Sequence, residues 1–153
     1  MQTKKILFVC LGNICRSPLA EGVFRQHVHH RGLHDRYVID SAGTGGWHIG
    51  SLPDARSIEI ALKNGIDIRA QRARKVDLND IENFTHVIVM DSSNQRDLLE
   101  LGFRKPILLR EYGIEEDDLD VPDPYYGGPG GFDVVYRMVD RCCLRLLDQL
   151  EDL

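Results

Sequence analysis

The chain has 153 residues, the size of one globular domain spanning 1–153, and can bury a full core without a disulfide or metal staple. A hydrophobic fraction of 42% and a charged fraction of 28% exclude a disordered chain, and no apolar run nears the roughly 20 residues of a membrane-spanning helix. The net charge of −5 hides an asymmetry: residues 1–75 carry 12 Lys or Arg against 6 Asp or Glu, and residues 76–153 carry 7 against 18. The first half therefore has the charge to serve an anion, but no basic run with interleaved aromatics points to nucleic acid.

In chain order, Lys5 to Val9 is a continuous apolar run suited to a central parallel strand. A Gly-containing loop follows from Cys10 to Arg16. Ser17-Pro18-Leu-Ala-Glu21 then opens a helix that ends near Gly32, with Ser17 as a candidate cap and Pro18 in the first turn. Tyr37 to Asp40 is a second strand, and Ser41 to Gly46 a loop. Pro53 to Asn64 is helical, with Gly65 ending it. Asp77 caps a short helix through Phe84. His86 to Met90 is a third strand, Asp91 starts a helix running to Leu101-Gly102, and Pro106 to Leu109 is a fourth strand. Residues 111–131 form a long acidic loop rich in Pro and Gly, a length that usually carries function. The last helix runs from Phe132 to Leu150, with Val135, Val139, Cys142, Leu146 and Leu150 at helical spacing. Strands alternating with helices predict an α/β fold: a four-stranded parallel sheet flanked by helices on both faces, with ligands at the carboxyl ends of the strands.

The four cysteines are Cys10, Cys15, Cys142 and Cys143. The apolar run Ile6 to Leu11 is too short for a secretory leader, so the sequence predicts a cytoplasmic protein whose thiols are catalytic or buried rather than bridged. Their spacings fit no zinc site, and no metal or other cofactor is expected.

The loop Cys10-Leu11-Gly12-Asn13-Ile14-Cys15-Arg16-Ser17 joins a buried strand to a helix. A helix N-terminus offers free N–H groups and partial positive charge, and a tight loop before it forms an anion nest. Gly12 permits a backbone shape other residues resist. Arg16 can fork two donors onto an oxyanion. A cysteine held at such a nest is favoured as its thiolate. One loop would then bind a phosphate and supply its nucleophile. Neither rival nucleotide loop is present: the chain lacks Gly-Lys-Ser/Thr and has no G-x-G-x-x-G after strand 1.

Val9-Cys-Leu-Gly-Asn-Ile-Cys-Arg-Ser-Pro18-Leu-Ala-Glu21 resembles the phosphate loop of low-molecular-weight protein-tyrosine phosphatases. Asp40-Ser-Ala-Gly43, Met90-Asp91-x-x-Asn94 and Asp123-Pro-Tyr-Tyr-Gly127 are similar as well, so the resemblance spans nearly the whole chain. It implies a tyrosine-phosphorylated protein or peptide as substrate, Cys10 as nucleophile, Arg16 as phosphate ligand and Asp123 as general acid and base. Pro122 and Pro124 stiffen Asp123, and Asp120 is the runner-up; Glu115, Glu116, Asp117 and Asp118 are expected to be solvated. Tyr125 and Tyr126 are expected to wall a slot for an aromatic ring. Trp47 either forms the other wall or simply packs. Asn13, Ser17, Ser41 and Asp91 are expected beneath the loop: Asn13 to hold an uncommon backbone conformation, and Ser17 to bond the Cys10 sulfur, to cap the helix, or both. The family's Cys15 position implies a reversible disulfide with Cys10 under oxidation. Where many members carry a His before Ala-Arg, this chain has Gln71-Arg72-Ala73-Arg74, so the network under the loop is expected to be altered.

Three rival activities share these features. A thiol-dependent arsenate reductase needs further redox cysteines in the middle of the chain, which has none between residues 16 and 141. An arginine phosphatase carries Thr where this loop has the apolar Ile14. A module that only binds phosphotyrosine would need no proton donor.

Overall fold

The structure is a computed structural model that describes residues 3–113, 119–125 and 130–152. Four strands, β1 (Lys4–Cys10), β2 (Tyr37–Gly43), β3 (His86–Val89) and β4 (Pro106–Leu108), form an all-parallel sheet in the order β2-β1-β3-β4. β1 is central, and Ile6 to Val9 are wholly buried because both faces of the strand are covered. Its side chains alternate: Ile6, Phe8 and Cys10 enter one core and Leu7 and Val9 the other. The first core is closed by α1 (Arg16–His30), α2 (Ala55–Lys63) and α5 (Gly131–Leu150); the second by α3 (Asp80–Asn83), α4 (Ser92–Leu101) and Phe103. Helices thus flank both faces, as the sequence predicts. β4 is a short edge that opens on Pro106, where no strand N–H is required.

Several boundaries differ from the sequence reading. α1 begins at Arg16 with Cys15 as its N-cap residue, and no side chain caps it, so Ser17 is not a cap. β2 continues through Ser41, Ala42 and Gly43, because these residues pair with Phe8, Val9 and Cys10 instead of forming a loop. Asn79, rather than Asp77, precedes α3. The end of β4 turns into a 3-10 segment, Leu109–Tyr112.

The strand order places the site. β1 pairs with β2 up to Cys10–Gly43 and with β3 up to Val9–Val89. The chain leaves β1 toward one side and β3 toward the other, so a crevice opens at the carboxyl ends of these two neighbours.

Candidate active site

The loop from Cys10 to Arg16 lies in that crevice. Its carbonyls at Cys10, Leu11 and Ile14 accept the N–H groups of Thr44, Gly45 and Asp54 at 2.9, 2.8 and 2.7 Å. The Asn13 N–H points inward to the Cys10 sulfur at 3.3 Å. Asn13 sits at φ 55°, a left-handed conformation that turns this N–H inward and that Asn tolerates better than most residues. α1 starts at Arg16, so its first-turn N–H groups lack intrahelical acceptors at the same point.

Beneath the loop, hydrogen bonds run in one direction. The Arg74 N–H donates to Asn13 Oδ1 at 2.9 Å, which fixes the amide so that its Nδ2 faces two hydroxyls. Nδ2 donates to Ser17 Oγ at 2.8 Å and to Ser41 Oγ at 3.0 Å. The Ser17 hydroxyl stands 3.0 Å from Cys10 Sγ and 3.5 Å from the Ala42 carbonyl, and toward an ionised sulfur it is the donor. Ser41 donates to Glu21 Oε1 at 2.7 Å, and Arg25 closes the end by donating to Glu21 Oε2 at 2.9 Å. Burial, opposed by these two donors, raises the Glu21 pKa above its ordinary value. Gln71 lies outside this relay: its Nε2 donates to the Pro18 carbonyl at 3.0 Å, so it steadies the first turn of α1.

Arg16 is 2% exposed and spans the crevice. Its Nη1 donates to Asp91 Oδ2 at 2.6 Å and to the Val121 carbonyl at 3.0 Å, and its Nη2 lies 3.7 Å from Asp123 Oδ2. Burial lowers the Arg16 pKa, but Cys10, Asp91 and Asp123 together outweigh it and raise the value overall. Asp91 serves two ends, since its other oxygen accepts Asn94 N–H and caps α4. Asp123 Oδ1 accepts the Tyr125 N–H at 3.0 Å, an Asx turn that orients the carboxyl. Asp120, the runner-up, does not line the cleft; its side chain accepts the Ser92 N–H at 2.9 Å. Glu115, Glu116, Asp117, Asp118 and Tyr126 fall outside the described residues.

The cleft above the loop holds about 450 Å³ and is lined by Cys10, Leu11, Gly12, Ile14, Cys15, Arg16, Trp47, His48, Asp123 and Tyr125. Trp47 is 72% exposed and so is a rim residue rather than a core one; its indole crosses the face of Gly45, where any Cβ would collide with the ring. Among the described residues that line the cleft, Arg16 is the one Lys or Arg. Arg25, Arg31, Arg36, Arg56, Arg69 and Arg74 all form ion pairs. Cys15 is a buried free thiol, pushed up to about 12 by burial and then by Asp54, so it is held protonated. Cys142 and Cys143 are wholly buried in the core under α5. Among the described residues, no cluster of three or more His, Cys, Asp or Glu is arranged to hold a metal, and no helix is long and apolar enough to cross a membrane.

Sequence reasoning missed two neighbours of the cleft. His48 lays its ring over Gly12, close enough that a Cβ there would lie 3.1 Å from Cδ2. Arg56 sits between the rings of Tyr125 and Phe132, at 5.5 and 4.7 Å, while Asp54 binds its guanidinium. Nothing in the sequence marks His48, but Asp54 two residues before Arg56 is a legible helix-start pair.

The fold and site define an α/β protein with a buried guanidinium and a cysteine facing one cleft at the carboxyl ends of its strands. Residues 5–152 match the family described as low molecular weight phosphotyrosine protein phosphatase. The low molecular weight phosphotyrosine protein phosphatase of Schizosaccharomyces pombe is 48% identical over 142 residues, covering 89% of this chain and 90% of that protein. The crystal structure of YfkJ from Bacillus subtilis superposes with a TM-score of 0.91 at 38% identity, over 99% of this chain and 97% of that one. That of a drosophila arginine phosphatase superposes with a TM-score of 0.90 at 32% identity, over 96% and 98%. The chain belongs to the low molecular weight phosphotyrosine protein phosphatase family and is a protein-tyrosine phosphatase.

Proposed function

We propose that the chain hydrolyses phosphotyrosine in proteins or peptides through a phosphocysteine intermediate on Cys10. The observation that carries this reading is the convergence of the Cys10 sulfur, Arg16 and Asp123 on one cleft. The Cys10 thiolate attacks phosphorus, forming the S–P bond as the P–O bond to the phenol breaks. Arg16 and the loop N–H groups stabilise charge on the equatorial oxygens. Asp123 gives its proton to the departing phenolate, then takes one from the water that attacks the phosphocysteine and releases inorganic phosphate. The Ser17 hydroxyl and the Asn13 N–H, 3.0 and 3.3 Å from Sγ, stabilise the charge that returns to the sulfur as it leaves phosphorus in the second step. Trp47 and Tyr125 offer flat surfaces to the substrate ring. The reaction asks for an ionised Cys10 beside a protonated Asp123, and hydrolysis should need no added metal.

Arginine phosphatases share this fold, and the fold alone does not separate the two substrates. Ile14 favours the aryl ester, since an apolar side chain in the cleft gives a guanidinium no acceptor. Cys10→Ser should abolish hydrolysis of p-nitrophenyl phosphate; retained activity would end the mechanism. Asp123→Ala should lose about 10²–10⁴-fold on poor leaving groups and less on good ones. Equal losses would remove Asp123 as the acid. Phosphotyrosine peptide, phosphoarginine and arsenate assayed side by side decide the substrate, and faster turnover of phosphoarginine would overturn the phosphotyrosine reading.

A further inference from the structure

Arg110 is a buried cation that the reaction as described does not use. It stands in the 3-10 segment Leu109–Tyr112 after β4 and is 5% exposed. Burying a guanidinium is costly unless its donors are engaged. Its Nη1 donates to the carbonyl of Asp120 at 2.7 Å. The same short stretch is gripped from two other elements. The Asp120 side chain accepts the Ser92 N–H at the start of α4 at 2.9 Å. Val121, wholly buried, donates its N–H to the Met90 carbonyl at 2.7 Å and accepts Arg16 Nη1 at 3.0 Å. Asp123 follows two residues later, across Pro122, whose ring fixes one backbone angle.

We propose that Arg110 and Asp120 are positioning residues for proton transfer: they clamp the peptide at 120–121 onto the ends of β3, β4 and α4, and so set where the Asp123 carboxyl stands relative to the leaving oxygen. The inference rests on Asp123 being the general acid. Neither residue is among the described residues that line the cleft, and the bonds named above tie each to backbone atoms. A clamp of this kind matters because proton transfer falls steeply with misplacement of the donor, whereas Arg16 keeps its bond to Asp91 when the Val121 carbonyl shifts, so phosphate binding depends on the clamp less.

The test is kinetic and uses the full chain. Arg110→Gln removes one anchor from below, and Asp120→Ala removes the other at a half-buried site, so the second decides if the first does not fold. In each, kcat/KM for phenyl phosphate should fall roughly 10-fold and that for p-nitrophenyl phosphate less than about 3-fold, because the better leaving group needs the proton less. Inhibition by inorganic phosphate should weaken less than the phenyl phosphate rate falls, because Asp91 still holds Arg16. Arg110→Gln placed on Asp123→Ala should add less than about 2-fold, since the group it positions is gone. Equal losses on both substrates, a loss fully additive to that of Asp123→Ala, or a matching loss of phosphate affinity would each overturn the clamp. Should Asp123→Ala show the leaving-group signature and the two clamp variants not, the clamp alone fails. Should Asp123→Ala lack the signature, the acid assignment fails and the clamp falls with it.

Discussion

Asn13 shows how one residue serves backbone and network together. Its φ of 55° turns its N–H onto the Cys10 sulfur, while its amide joins Arg74, Ser17 and Ser41. The two contributions separate by mutation. Glycine accepts the left-handed backbone without strain but removes the amide; alanine removes the amide and adds strain of about 1 kcal/mol. The buried hydrogen bonds lost in both are together worth about 1–3 kcal/mol. Urea unfolding should therefore rank wild type above Asn13→Gly above Asn13→Ala, with both variants losing activity because the amide no longer holds Ser17 beside the sulfur. An Asn13→Ala protein as stable as Asn13→Gly would show that the backbone at this position carries no strain.

At the scale of elements, the end of β2 is the floor of the loop. Gly43 is paired with Cys10, and a Cβ on it would lie 2.8 Å from the Leu11 carbonyl oxygen and 3.1 Å from Asn13 N. Those are backbone atoms, so the loop itself must move. Gly43→Ala should cost about 1–3 kcal/mol of stability, as overpacking does, and lower kcat/KM by roughly 10-fold or more through the displaced nest. Full activity in that variant would mean that the loop tolerates a shifted floor. The same stretch shows what a sequence conceals. Ser41-Ala-Gly43 has loop composition, yet it extends β2 because β1 beside it is long enough to pair with it. Ser17-Pro18 has the look of a cap and first turn, yet α1 starts two residues earlier, after Cys15, and the Ser17 hydroxyl faces the sulfur instead. α4 was legible at both ends, because Asp91 with Asn94 closes a capping box and Gly102 takes φ 106°. The cluster from Cys10 to Ser17 was legible because it is local. Arg74, His48 and the place of Arg56 beside Tyr125 were not, since each contact spans 35 or more residues of chain, which only the folded sheet brings together; Arg110 was not, since nothing local marks its bond to the Asp120 carbonyl.

For the molecule as a whole, the relay under the loop ends on a carboxyl inside the core, and this links global stability to pH. Glu21 on α1 is 7% exposed, and burial raises its pKa above the ordinary 4.5 even though Ser41 and Arg25 favour its ionised form. Below 4.5 the group is protonated in both folded and unfolded chains, and it has no effect on the pH slope. Between that value and its higher folded value, the native state holds the proton and the unfolded state has released it. Stability contributed by this group therefore falls as pH rises through the window, and the loss is complete once both states are ionised. Glu21→Gln keeps an oxygen for Ser41 but cannot titrate. The unfolding free energy of Glu21→Gln minus that of wild type should thus rise with pH above 4.5 and then level off. Urea titrations of both proteins at a series of pH values measure this difference, in which the titration of every other carboxyl common to the two proteins cancels. A difference that fell with rising pH would mean that Ser41 and Arg25 outweigh burial and hold Glu21 ionised in the native state. The relay would then end on a fixed negative charge rather than on a carboxyl poised to take a proton.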